Sequence, residues 1–165
     1  MHYHLVGACF EHEPVIGQSP ERIAAFTSIL LNHLVEHGGT SPPAAWCVLP
    51  NHYHLLIRTG AIKALTRHLG LLHGRLSREW NLEDDQAGRK VWHRVSDRGN
   101  RSGDHYWVTM NYIHHNPVHH GYVDSWTDWP FTSAHGFLEE VGRERAARIW
   151  REFPVKNYGK GWDDQ

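Results

Sequence analysis

Two histidines placed two residues apart, in Pro50-Asn51-His52-Tyr53-His54-Leu55-Leu56, are the side chains here with the most chemistry to offer. In a β-strand successive side chains point to opposite faces, so His52 and His54 share one face and Tyr53 takes the other. Two imidazoles held side by side on a rigid strand can grip one divalent ion. A second segment, Asn111-Tyr112-Ile113-His114-His115-Asn116-Pro117-Val118, reads as the last turn of a helix. There Tyr112 and Asn116, four residues apart, lie one above the other. A metal held by two histidines and a carboxamide, with a tyrosine beside it, is equipment for cutting and rejoining single-stranded DNA through a phosphotyrosine.

That chemistry makes definite demands. A tyrosine hydroxyl ordinarily ionises near pH 10, so its phenolate must be favoured by a nearby cation or base. A divalent ion on His52 and His54 can polarise a phosphate and stabilise developing charge. The Asn116 carboxamide oxygen can serve as a third ligand, since an amide oxygen suits a hard ion such as Mg²⁺ or Mn²⁺. Tyr112 would attack phosphorus, a 3′-hydroxyl would leave, and the 5′-phosphotyrosine would keep the bond energy for rejoining. Taken singly, each piece is ordinary: His-x-His is common on surfaces, Tyr112 suits a half-buried helix face, and Asn116-Pro117 suits a helix end. The force lies in the combination. His115, three residues from Tyr112, and His114 compete as ligands. His93 and His105 are candidate assistants, and His119-His120 is expected in a loop or facing DNA.

The elements that must position these residues can be read along the chain. Tyr3 to Phe10 reads as a strand. Ser19-Pro20-Glu21-Arg22 starts a helix, with Ser as N-cap and Pro in the first turn. Ile23, Phe26, Leu30 and Leu34 mark its inner face, and Gly38-Gly39 ends it. Ala44 to Leu49 and Tyr53 to Thr59 are strands, the latter beginning as early as Asn51. A second helix runs from Ala61 to Trp80 with Leu65, Leu69, Leu72, Leu76 and Trp80 as its stripe. Lys90 to Val95 is the expected fourth strand. Asp104 is the expected N-cap of a third helix, from His105 to His115 or Asn116, which Pro117 stops. The order predicts an α+β, ferredoxin-like βαββαβ fold. A four-stranded antiparallel sheet would be followed by the catalytic helix and a C-terminal helical extension. That extension, residues 126–165, would pack on a domain formed by residues 1–125. It carries Trp126, Trp129, Trp150 and Trp162 and one helix, Ser133 to Arg151, broken near Gly142. The last ten residues are expected to form a strap or a tail.

Bulk composition bounds the rest. The chain has 165 residues, 16 of them histidines, and a formal net charge of -1. That is not the strongly basic balance of a typical nucleic-acid binder. Between Arg58 and Arg101, however, ten Lys and Arg stand against five acids. A local basic face attracts phosphates even on a neutral protein. The candidate DNA contacts in this stretch are Arg67, Arg75, Arg78, Arg98 and Arg101. Cys9 and Cys47 sit in apolar runs and read as buried small hydrophobes of a reducing compartment. No apolar run approaches bilayer length, and His2 and His4 interrupt any signal peptide. A cytoplasmic protein without membrane partners is the expectation.

At this point the residues resemble a family. Leu49-Pro50-Asn51-His52-Tyr53-His54-Leu55-Leu56 and Tyr112-Ile113-His114-His115-Asn116-Pro117-Val118 resemble the two signatures of the single-tyrosine HUH transposases, the IS200-like domain. More narrowly, they resemble those of the REP-associated tyrosine transposases. Val91-Trp92-His93-Arg94 and Trp129-Pro130-Phe131-Thr132-Ser133 are similar to further patterns of that branch. The resemblance covers residues 3 to 135. It implies a Mg²⁺ or Mn²⁺ cofactor and a single-stranded DNA substrate bearing a hairpin, like a repetitive extragenic palindrome. It places the HUH ligands on His52 and His54, the nucleophile on Tyr112 and the third ligand on Asn116. Asparagine there favours the REP-associated branch, since the insertion-sequence branch usually has glutamine. The chain is expected to lack the longer basic amino-terminal segment of many relatives. The family includes monomers and dimers. It also includes single-copy host genes, so a domesticated DNA-binding regulator without turnover is the alternative to a strand transferase. A small metal-binding or hydrolytic protein with a structural Tyr112 is a third reading.

Overall fold

The computed structural model describes residues 1–38 and 41–161; Gly39, Trp162 and the end of the expected tail lie outside the described residues. Four strands, β1 (His2–Ala8), β2 (Ala45–Val48), β3 (His52–Arg58) and β4 (Ser96–Gly99), form one sheet in the order β2-β3-β1-β4. All three pairings are antiparallel. With α1 (Pro20–His37) and α2 (Ile62–Glu83) between them, this is the expected α+β, ferredoxin-like arrangement. Helix α3 (Gly103–His119) follows, then α4 (Ala134–Val141) and α5 (Arg143–Glu152).

The pleat sorts side chains into two cores. Leu5, Tyr53, Leu55 and Ile57 point to one face and pack against Phe26, Leu30 and Leu34 of α1 and Leu65, Leu69, Leu72 and Leu76 of α2. Ala45, Cys47, Leu49 and Leu56 point to the other and meet Met110, Tyr112 and Ile113 of α3. Each fully buried aliphatic side chain contributes about 1.5–3 kcal/mol, so the two faces hold the sheet between them. Gly7 has no room for a side chain, because a Cβ there would lie 2.2 Å from the ring of Tyr53. Cys9 and Cys47 are buried free thiols.

The helix starts follow local chemistry. Ser19 Oγ accepts from the Arg22 amide at 3.1 Å, as the Ser-Pro-Glu start predicts. For α3 the cap is Ser102, whose Oγ accepts from the His105 amide at 3.1 Å, and Asp104 sits in the first turn instead. Nor does Pro117 stop α3. Its missing N–H falls in the last turn, and the helix continues to His119. The end is closed by the His120 amide on the Asn116 oxygen at 3.0 Å and the Tyr122 amide on the Pro117 oxygen at 2.9 Å. The C-terminal helix breaks where expected. Gly142 adopts φ 81°, ψ 162°, a conformation essentially confined to glycine.

One strand lies elsewhere than its pattern suggests. Lys90–Val95 is not the fourth strand. Val91, Trp92 and Val95 are buried in the α1/α2 core, but the backbone touches the sheet only locally, through the Cys9–Trp92 bridge and the His93 amide on the Ala8 oxygen at 2.9 Å. The strand is the next segment, Ser-Asp-Arg-Gly, which pairs with Tyr3–Val6. It forms the sheet edge and is mostly exposed, so hydrophobic alternation could not reveal it.

The α1/α2 core also holds a buried polar pair. Tyr53 Oη is hydrogen-bonded with His73 Nε2 at 2.9 Å, and the His73 ring stacks on Trp92 at 3.8 Å. Burial pushes His73 from 6.5 down to about 3, so it stays neutral in the fold while the unfolded chain takes up a proton near its ordinary value. Stability is therefore full above about pH 6.5 and falls as the pH drops toward the folded value. Urea unfolding at pH 7 and pH 5 should show this loss. His73→Gln, which can still pair with Tyr53, should flatten the slope by about 1 kcal/mol per pH unit.

Candidate functional site

Register builds the site. In the β1–β3 pair, His4 faces Leu56, Val6 faces His54 and Ala8 faces His52, so His4, His52 and His54 all emerge toward α3. His52 and His54 are buried at 3% and 0% exposure, with ring centroids 4.9 Å apart. His54 Nδ1 is hydrogen-bonded with His4 Nε2 at 2.9 Å, and His4 Nδ1 with Tyr158 Oη at 3.1 Å. Tyr158 Oη in turn meets Thr109 Oγ1 at 2.7 Å, and burial raises its pKa. With Nδ1 engaged, Nε2 is the His54 nitrogen that would ligate a metal. Such an outer partner fixes the orientation of the ring.

Across from the strand, α3 brings Asn116 to His52. His52 Nε2 lies 3.1 Å from Asn116 Oδ1, and His52 Nδ1 lies 2.6 Å from Asn51 Oδ1. A neutral imidazole has one N–H and cannot donate to both oxygens. The bond to the closer Asn51 holds the ring with Nε2 facing the Asn116 oxygen in a buried site, while Asn116 Nδ2 has no hydrogen-bond partner among the described residues. A cation between nitrogen and oxygen satisfies that arrangement, so the donor set of His52, His54 and Asn116 fits a divalent metal.

Tyr112 is brought to the same place. Its ring packs edge-on against His54, with centroids 5.3 Å apart, and against His4 at 5.8 Å. It is also covered, being 5% exposed. The segment after α5 crosses it: the Tyr158 ring lies 5.2 Å from the Tyr112 ring. A Cβ on Gly159 would fall 2.5 Å from the Tyr112 ring and 2.7 Å from its hydroxyl. Residues 155–161 thus form a strap against Tyr112, and together they line a cleft of about 500 Å³.

Other candidates are placed elsewhere. His115 is sandwiched between Trp126 and Trp150, at 5.0 and 3.7 Å, and burial takes it down to about 4. His114 is buried and hydrogen-bonded with Ser133 Oγ at 2.9 Å. Neither turns toward His52. His93 accepts from the Glu11 amide at 3.4 Å, on the α1/α2 side. His105 takes the Arg101 amide at 3.2 Å and lies beside Tyr158, ring centroids 5.6 Å apart. The arginines divide as well. Arg98 pairs across β4 with His4 and so shares the site's face, and Arg101 follows it. Arg67, Arg75 and Arg78 are exposed on α2, on the other side of the sheet. Arg75 pairs with Glu79 at 3.9 Å. Arg67 lines a cleft of about 1060 Å³ with Lys63, Lys90, His93 and Arg94.

Three residues join the site without being expected there. His120 packs against His52 with ring centroids 5.0 Å apart. It lies four residues beyond Asn116, itself four beyond Tyr112, a periodicity hidden by ending the helix at Pro117. His4 had its own signal, the His2-Tyr3-His4 repeat of the His-x-His pattern, but its partner depends on strand register. Tyr158 had none.

No protein-family model matches the chain. A curated Haemophilus influenzae protein, provisionally named as a REP-associated tyrosine transposase, is 31% identical over 105 residues. The match takes in 55% of this chain and 57% of that protein, so the chain spans little more than half the length of this relative. A solved structure of a REP-associated tyrosine transposase bound to a REP hairpin has the same fold, with a TM-score of 0.57 at 19% identity. It covers 81% of this chain and 76% of that one. The resemblance read from the two signatures holds: the chain is similar to the REP-associated tyrosine transposases in sequence and, separately, in fold.

The hydrogen bond between His4 and His54 gives the site a test of its own. His4→Ala should leave the fold intact and weaken Mn²⁺ binding about 10–100-fold, the usual cost of losing an orienting partner. Calorimetric titration of wild type and variant checks this.

Proposed function

We propose that this chain is a DNA strand transferase of the REP-associated tyrosine transposase kind, acting on single-stranded DNA that carries a hairpin. The observation that carries the reading is the meeting of His52 with Asn116 at 3.1 Å, beside a tyrosine ring packed on His54. In this reading Tyr112 is the nucleophile. Its oxygen bonds to phosphorus and gives up its proton, the bond to the 3′ oxygen breaks, and that oxygen gains a proton. A 5′-phosphotyrosine results, which a second 3′-hydroxyl can reverse. A Mg²⁺ or Mn²⁺ ion held by His52, His54 and Asn116 would draw charge from the phosphate. His4 holds the His54 ring in place. Residues 1–125 would carry this chemistry, with 126–165 as the C-terminal extension, whose described part ends at Gly161. Arg98 and Arg101 lie where the DNA backbone would approach. The chain would act in the cytoplasm, as a monomer or a homodimer.

A second reading is favoured by the strap over Tyr112: a regulator that binds hairpin DNA without turnover. Incubating a hairpin oligonucleotide carrying a single-stranded flank with protein and Mn²⁺, followed by mass spectrometry of the intact protein, separates the two. The transferase gives a covalent adduct at Tyr112. Tyr112→Phe should abolish the adduct and leave hairpin affinity within about twofold. Binding without an adduct under every divalent metal points to the regulator, and an adduct that survives in Tyr112→Phe overturns both. In the same binding assay, Arg98→Ala should weaken binding and reduce the salt slope by roughly 0.7–0.9, the value for one phosphate contact. Arg75→Ala, across the sheet, should change neither.

A further inference from the structure

Three histidines outside the site gather on the helix layer behind the sheet. His33 and His37 stand four residues apart on α1, and His68 faces them from α2. One ring nitrogen from each lies within 4.8 Å of one from each of the others. The His37 and His68 rings stack at 4.2 Å, and His33 lies 4.5 Å from His37, centroid to centroid. His33 Nε2 donates to the His68 carbonyl oxygen at 3.1 Å. That bond holds His33 in the tautomer whose Nδ1 carries the lone pair, the role an outer-shell partner plays at metal sites.

We infer that His33, His37 and His68 form a second metal site, for a zinc-class transition-metal ion, that pins α1 to α2. Several observations carry this. The spacing of four puts His33 and His37 on one helix face, a natural two-point grip. The third ligand comes from a different helix, so binding cross-links the layer. Zn–N distances of about 2.0–2.1 Å in a tetrahedron place ligand nitrogens about 3.3 Å apart. The present spacing closes to that by turning rings, since His37 is exposed and His33 and His68 are half-buried. Glu36 lies beside the cluster, its carboxylate 3.6 Å from His37 Nε2, and either it or a water can complete the sphere. Three imidazoles select zinc, copper or nickel over the hard ions suited to the carboxamide-bearing site on the far face of the sheet. The two sites therefore differ in preferred metal as well as in place, and this inference stands independently of the proposed function.

Zinc titration of the whole chain tests it, by calorimetry and by thermal unfolding. His52→Ala serves as the background, so that zinc entering the other site is not counted. In that background one Zn²⁺ should bind and raise the melting temperature by about 8 °C at a hundredfold excess over Kd. Adding His37→Ala, an exposed substitution, should weaken binding at least tenfold and remove the shift. His68→Asn should do the same from the other helix. Equal zinc binding with and without these substitutions, or no zinc binding by the background protein, overturns the inference.

Discussion

The antiparallel pairing of β1 with β3 is the constraint on which the remainder of the molecule depends. Because side chains alternate, one register decides at once what each face contains. With Val6 opposite His54, the histidines at 4, 52 and 54 lie together on the face covered by α3. Tyr53, Leu55 and Ile57 are turned to the α1/α2 core. A slip of one residue would bury the imidazoles among leucines and expose the aliphatic side chains. Hydrophobic burial on the α1/α2 side therefore fixes where the polar groups on the other side stand. The requirements of folding and of the candidate chemistry are met by the same ladder of hydrogen bonds.

How much of this could be read beforehand follows from what each element leaves in the sequence. Helices α1 and α2 were legible because a buried stripe and a Ser-Pro start are written in side chains. The His-x-His strand and the Tyr112–Asn116 pair were legible because period 2 and spacing 4 depend only on local geometry. β4 was not, since an exposed edge strand is held by backbone hydrogen bonds that any residues can make. The buried run Val91–Val95 took its place in the reading, with the right burial and the wrong hydrogen bonding. The end of α3 lies past the expected stop because proline disfavours continuation without forbidding one more turn, and His120, expected in a loop or facing DNA, caps that turn beside His52. His4 and Tyr158 join the site through pairings over 50 and 154 residues, which no local pattern encodes.

The C-terminal extension does more than add mass. Asn111 Nδ2 donates to the Ile149 and Phe153 oxygens at 3.1 and 3.0 Å, tying α5 to α3. Trp129 Nε1 donates to the Val48 oxygen at 2.8 Å, and the Val48 amide donates to the Phe131 oxygen at 2.9 Å. These bonds occupy the outer edge of β2, which would otherwise offer unpaired backbone groups. The Trp129–Ser133 stretch, singled out for its likeness to a family pattern, thus has a physical task here. Among the described residues, no helix is long and apolar enough to cross a membrane.

Tyr112 and Asn116 ride on one helix, while His52 and His54 ride on one strand. The arrangement therefore has only two rigid bodies, and a single gap between them governs every distance across it. Sequence drift in the surrounding loops can change how the gap is entered without scattering the groups that line it. A small sliding of the rod along the sheet would carry phenol and carboxamide together, like two teeth on one comb. The alignment of these four groups is then inherited as a mechanical property of two stiff parts, tuned by whatever packs beneath the rod, above all Met110 and Ile113.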